Sequence, residues 1–191
     1  MKKIFMFLSV VVLSGCFGSS PQSSFYMLTA QTEKVISDKS LQIAVEPVKI
    51  PQFLDRPQIV TLTNNGMQLQ IAETKRWAEP LSSMIQRVVI NNLSECLPKS
   101  QIHPKTFTRD KYDYILYINI NKSDATFGKD FVLSVWWSLV DEQGKTIYRT
   151  QTTLSEELSE SYDDLVAVQS RLFAKLTSVI AEKISIMRME K

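Results

Sequence analysis

The chain has 191 residues, 44% apolar and 22% charged, which is enough for one sizeable core and unlike the make-up of a disordered chain. Lys+Arg at 22 nearly balances Asp+Glu at 20, leaving no electrostatic footprint for nucleic acid, so no nucleic-acid partner is expected. Five glycines, one histidine and two cysteines rule out a phosphate-cradling glycine loop and a zinc site of usual spacing, so neither a metal nor a cofactor is expected.

Lys2 and Lys3 precede an apolar run from Ile4 to Leu13, broken only by Ser9. The run suits the hydrophobic region of a signal peptide and falls well short of the ~20 residues of a spanning helix. It ends in Leu13-Ser14-Gly15-Cys16, which resembles the bacterial lipobox. Small residues fit a narrow protease site, and the Cys16 sulfur is the only nucleophile there able to carry a diacylglyceryl thioether. Residues 1–15 therefore read as a lipoprotein signal peptide, with Cys16 as the lipid attachment point and acyl chains such as palmitate as the membrane anchor. An ordinary secretory signal with a chance cysteine is the alternative. Each buried methylene is worth about 0.8 kcal/mol, so two or more chains hold firmly. Phe17 stands where Asp would resemble an inner-membrane retention signal, which favours the outer membrane, periplasmic side. Cleavage removes Lys2 and Lys3, and with them the net charge of +2, so the mature body is near neutral.

Residues 16–24 are polar and read as a flexible lipidated tether, and residues 25–191 as one domain. Phe25–Ala30 is the first strand candidate, and Gln31–Ser40 a loop. Leu41–Ile50 alternates as a strand with a break at Pro47. Ile59–Thr63 and Met67–Ala72 flank Asn64-Asn65-Gly66, a strong hairpin signal because Asn and Gly tolerate positive φ. A helix is predicted from Pro80, at the first helical position, to Pro98, with Leu81, Met84, Ile85, Val88 and Leu93 on one face. Tyr112–Asn121 predicts a central strand, and Phe131–Val140 and Thr146–Leu154 a hairpin around residues 141–145. Ser161 and Asp164 open a long amphipathic helix carrying Leu165, Leu172, Phe173, Leu176, Val179, Ile180, Ile184 and Met187. With hairpins linking the strands, this order predicts an α+β fold: a mostly antiparallel sheet with two helices packed on one face, in a single domain.

Little in the sequence suits catalysis. Any Ser-His-Asp or Cys-His arrangement has to use His103, which precedes Pro104 with no nucleophile elbow nearby. The acidic pairs Glu156/Glu157 and Asp163/Asp164 are adjacent, so their side chains point apart, and they flank a helix start where acids suit the dipole. Cys96 reads as a small buried apolar residue or, alternatively, as half of an intermolecular disulfide. Trp136 and Trp137 sit mid-strand and face opposite sides of the sheet. One belongs to the core. The other is a possible contact surface or is covered by a loop. Trp77 can pack on the first turns of the helix that follows it.

Several short segments, taken in order, carry a family resemblance. They are the lipobox, Phe25–Leu28, Val45–Leu54, Arg56–Val60, the turn Asn64-Asn65-Gly66, Trp77-Ala78-Glu79-Pro80-Leu81 and the long C-terminal helix. Together they resemble the ABC-type transport auxiliary lipoprotein family, of the paraquat-inducible protein C type. That resemblance implies a non-enzymatic subunit of an envelope-spanning lipid transport system, tied to membrane integrity. It implies docking on a mammalian-cell-entry-domain partner at the outer membrane, and a ring-shaped homo-oligomer. The alternative class is a structural or assembly lipoprotein, pilotin-like or a subunit of an outer-membrane assembly machine. Trp77–Leu81 and Arg56–Val60 separate the two readings, since the alternative has no reason to carry them.

Overall fold

The computed structural model describes residues 21–36, 40–63, 65–105 and 111–189. The signal peptide, the lipobox Leu13 to Cys16, most of the tether and Asn64 lie outside the described residues. In chain order the elements are β1 (Ser24–Tyr26), β2 (Gln42–Val45), β3 (Gln58–Leu62), β4 (Leu69–Trp77) and α1 (Leu81–Cys96), with a single 3-10 turn at Gln52–Leu54. There follow β5 (Gln101–Pro104), β6 (Tyr114–Thr126), β7 (Asp130–Asp141), β8 (Thr146–Glu157) and α2 (Tyr162–Met189).

All eight strands join one sheet. Its backbone is the antiparallel run β6–β7–β8, paired over almost the full length of each strand. β6 is central: one edge takes β7, and the other is shared by β2 near Tyr114–Leu116 and β3 at Thr126. β5 adds outside β2, while β4 and then β1 add outside β3. The expected hairpin links hold for β3–β4, β6–β7 and β7–β8. The chain crosses over elsewhere, so β1–β4, β2–β5, β2–β6 and β3–β6 pair in parallel. Because the long strands are antiparallel, most paired residues are antiparallel, as expected. The break at Pro47 is also present: β2 ends at Val45, and Lys49 then rejoins the ladder opposite Asn119.

Alternation of burial along β6 and β7 explains where the helices lie. Tyr114, Leu116, Ile118 and Ile120 face the core, as do Phe131, Leu133, Val135, Trp137 and Leu139. α2 covers that face with Leu165, Leu172, Phe173, Leu176, Ile180 and Ile184, all essentially inaccessible, and packs on β7, β8 and α1. Each such side chain stabilises the fold by roughly 1.5–3 kcal/mol. Val179 does not join the stripe; it is exposed, on the flank of the buried face. At the start of α2, the Ser161 hydroxyl accepts from the backbone N–H of Asp163 at 3.2 Å, and the Asp164 carboxylate accepts from that of Ser159 at 2.9 Å. The capping box is thus present, with its return bond two residues upstream of the cap.

After β1 the chain straps across both helices. The backbone N–H of Thr29 donates to the Ser170 hydroxyl, that of Gln31 to the Asn92 side chain, and that of Ile36 to the Cys96 carbonyl. Leu28 is buried beneath this strap, so the first residues of the domain are fixed to its core.

Candidate functional site

Between Trp77 and Leu81 the chain leaves the sheet and starts a helix within three residues. Pro80 is extended (φ −52°, ψ 128°) and its carbonyl accepts from the Met84 N–H at 3.0 Å, so it stands just before the helix and not at its first position. Trp77 is the buried last residue of β4 and no part of the helix. Its N–H donates to the Pro57 carbonyl at 2.7 Å, and the Ala78 N–H donates to the Tyr26 carbonyl at 2.9 Å. These two bonds draw the Arg56–Pro57 corner, the end of β1 and the start of α1 to one place.

The result is an open cleft of about 340 Å³ lined by Asp55, Arg56, Pro57, Trp77, Ala78, Glu79 and Pro80. Its walls are largely apolar, from two prolines, the tryptophan and Ala78. Glu79 is held by an ion pair with Arg87. The Nε atoms of Arg56 and of neighbouring Arg76 are buried without a hydrogen-bond partner. A buried donor left unpaired costs about 1–3 kcal/mol. Apolar walls bordered by Asp55, Arg56 and Glu79 suit an extended peptide segment. No histidine, serine or cysteine lines the cleft, so it holds no Ser-His or Cys-His pair.

The sequence marked both lining segments for their family resemblance but did not show that they touch. The signal available was the hairpin itself, which sets residues before Asn64 opposite residues after Gly66. Its register carries a surprise: Leu62 opposes Leu69 and Val60 opposes Ile71, yet Gln58 opposes Arg76. That irregularity brings Trp77 against Pro57.

A second concavity lies where the outer face of β6–β7 meets the 46–49 segment, lined among others by Glu46, Pro47, Lys49, Tyr117, Asn119, Trp136 and Arg149. The two adjacent tryptophans do face opposite ways. Trp137 is 1% exposed, with its indole N–H donating to the Thr152 hydroxyl at 2.9 Å, and so belongs to the core and not to a contact surface. Trp136 is half-buried on the outer face, and the Arg149 guanidinium stacks over its ring at 5.3 Å. Burial, and then the Glu46 carboxylate it bonds, push the Tyr117 hydroxyl above its usual pKa. This groove is more polar than the cleft.

The remaining candidates have structural roles. His103 is exposed on β5 beside Gln101. Glu156 accepts from Arg171 at 2.6 Å and Lys175 at 3.1 Å. Burial opposes its ionisation, but those two bonds outweigh it and hold the carboxyl below its ordinary range. Glu157 is exposed. Cys96 is a free, buried thiol whose pKa burial pushes up, which leaves it unreactive. Among the described residues no group of three His, Cys, Asp or Glu side chains is placed to hold a metal.

Comparison with known proteins decides the family. The pattern described as "ABC-type transport auxiliary lipoprotein component" matches residues 26–181. The chain belongs to that family. It is 24% identical over 189 residues to the intermembrane transport lipoprotein PqiC of Escherichia coli, covering 96% of this chain and 98% of that one, and equally similar to PqiC of Shigella flexneri. A crystal structure of an uncharacterized protein, 25% identical, superposes with a TM-score of 0.73 over 86% of this chain and all of that one. A protein from Xanthomonas campestris, 15% identical, shares the fold with a TM-score of 0.74 over 87% of this chain and 98% of its own. The chain is thus an auxiliary, non-catalytic lipoprotein of a transport system, and membership agrees with the expected outer-membrane, periplasm-facing location.

Proposed function

We propose that this lipoprotein is the outer-membrane docking subunit of an envelope-spanning lipid transport system, and that its partner is a mammalian-cell-entry-domain protein. Cys16 carries the lipid in this reading, and residues 1–15 are the signal removed. The observation that carries the proposal is the cleft between Arg56–Pro57 and Trp77–Pro80, which unites the two segments that separate this family from assembly lipoproteins. The partner would lay an extended segment against Pro57, Trp77 and Pro80 and offer an acceptor to the Arg56 guanidinium. Sequence likeness to a lipoprotein named for intermembrane transport supports the same reading. The test is crosslinking of the tagged full-length protein in native envelopes followed by affinity capture. A mammalian-cell-entry-domain protein should dominate the captured material, and the exposed-site variant Ala78→Glu should lose it. Capture of secretin or barrel-assembly subunits instead would favour the assembly reading.

A homo-oligomeric ring completes the proposal. Among the described residues three strands lie at sheet edges, β1, β5 and β8, and the near-neutral body offers little charge to keep copies apart. Light scattering at tens of micromolar should find a species well above 20 kDa (about one chain). A clean monomer rules out a ring that is stable without the partner.

A further inference from the structure

The β3–β4 hairpin carries an unusual tip. Met67 is 84% exposed, the highest value for a large apolar side chain among the described residues, and Leu69 and Ile71 are 45% and 48% exposed. No charged residue occurs from Pro57 to Ala72; charge resumes only at Glu73, Lys75 and Arg76. A hairpin end that exposes three large apolar side chains between amides, with no ionisable group, suits a lipid interface, where charges are penalised and amides are tolerated.

The path of the chain says what covers it. β1 runs parallel to β4, with Ser24 opposite Lys75 and Tyr26 opposite Trp77. β1 therefore enters the sheet from the low-numbered end of β4, which is the hairpin-tip end. From Lys75 back to Leu69 is about 20 Å along a strand. From Ser24 back to Cys16 the chain can span at most about 27 Å. A tether of that length can reach the level of the tip, so the Cys16 acyl chains and the tip can meet one membrane surface together.

We propose that the β3–β4 hairpin tip, through Met67, Leu69 and Ile71, inserts into the surface of the bilayer that holds the Cys16 lipid, giving the protein a second membrane contact. This rests on the lipid-anchor reading of Cys16. The acyl chains hold the protein at the membrane; the tip fixes its orientation. With the tip in the lipid interface, the Trp77 end of β4 stands up to about 25 Å above it. The cleft beside Trp77 then stands clear of the membrane, within reach of a partner arriving across the periplasm.

The experiment uses full-length protein, processed in cells, with the single substitution Met67→Cys. Cys96 is buried and Cys16 is acylated, so the new thiol is the one accessible to an environment-sensitive fluorophore. The labelled protein is reconstituted in vesicles of phosphatidylethanolamine and phosphatidylglycerol with and without a nitroxide-bearing lipid, and mass spectrometry reads acylation of Cys16. Gln143→Cys, in the exposed β7–β8 turn, is the control. The expected result is a blue-shifted emission at position 67, quenched about twofold or more by the nitroxide lipid, with position 143 unaffected. A water-like, unquenched probe on acylated protein overturns the hairpin contact and leaves the anchor standing. A shielded probe that the lipid does not quench assigns the tip to a second copy or a protein partner, and overturns the proposal as well. Absence of acyl chains on Cys16 overturns the anchor reading and, with it, the orientation.

Discussion

Trp136 and Trp137 are neighbours in one strand with opposite fates, and the two faces of the sheet differ as they do. Trp137 is sealed beneath α2 among apolar side chains and bonds Thr152. Trp136 lies against Arg149 on a face of hydroxyls and amides, where Gln151 donates to Ser134 at 2.8 Å and Ser134 meets Thr153 at 3.1 Å. One face is a packed core whose residues are interdependent; the other is a surface of weak local contacts free to change. The stability of this protein therefore resides on one side of the sheet.

The largest effect comes from breaking the covered face. Leu176→Asp places an unpaired carboxylate among side chains with no access to water, which should cost at least ~4 kcal/mol, much of a domain's stability. Thermal melting should show loss of the cooperative transition. Trp137→Ala leaves a cavity and an unpaired Thr152 hydroxyl, and should cost about 3–5 kcal/mol in chemical denaturation.

A smaller effect is electrostatic. Glu156 titrates below its ordinary range for the reason given above. Asp164 does so through its bonds to Ser159, against some burial, helped by Arg171. A depressed folded pKa stabilises the fold above the unfolded value and loses that contribution as pH falls through the folded one. The ordinary values are 4.5 and 3.8, so stability should hold from neutral pH to about there and decline below. Asp124, raised by burial, works the other way and blunts the decline. Glu156→Gln should flatten the acid limb of a stability–pH curve and cost less than ~1 kcal/mol at neutral pH, since Arg171 and Lys175 are partly solvated. The smallest effect belongs to the open face: Trp136→Ala removes a cation–π contact and should change stability by less than ~1 kcal/mol. A cost equal to that of Trp137→Ala would mean the two faces are not different after all.

What the sequence made legible was local. The Asn-Gly turn, a helix opening beside Pro80 (though one residue later than expected), the alternation along β6 and the stripe of α2 are each written within a few residues, by backbone preference or by period. What it hid was set at a distance. β5 is four residues with one buried side chain, Ile102, and exists because β2 pairs with it; Gln-Ile-His-Pro alone does not signal a strand. The parallel pairings of β5 and β6 with β2 and β3 follow from where the chain returns after α1, which no window of sequence reports. The cleft needed the irregularity between β3 and β4, since a regular register from Leu62–Leu69 would have put Pro57 opposite β4's interior and not Trp77. Val179 sits on the margin of a broad stripe, where period alone cannot separate flank from face.

The proposed docking role of the cleft is tested most directly by photo-crosslinking in living cells. A benzophenone amino acid is placed at Ala78, in the cleft, or at Gln151, on the open face, of the full-length protein. The account predicts a covalent adduct to a mammalian-cell-entry-domain protein from position 78 and none from position 151. An adduct to that partner from position 151 alone would contradict it.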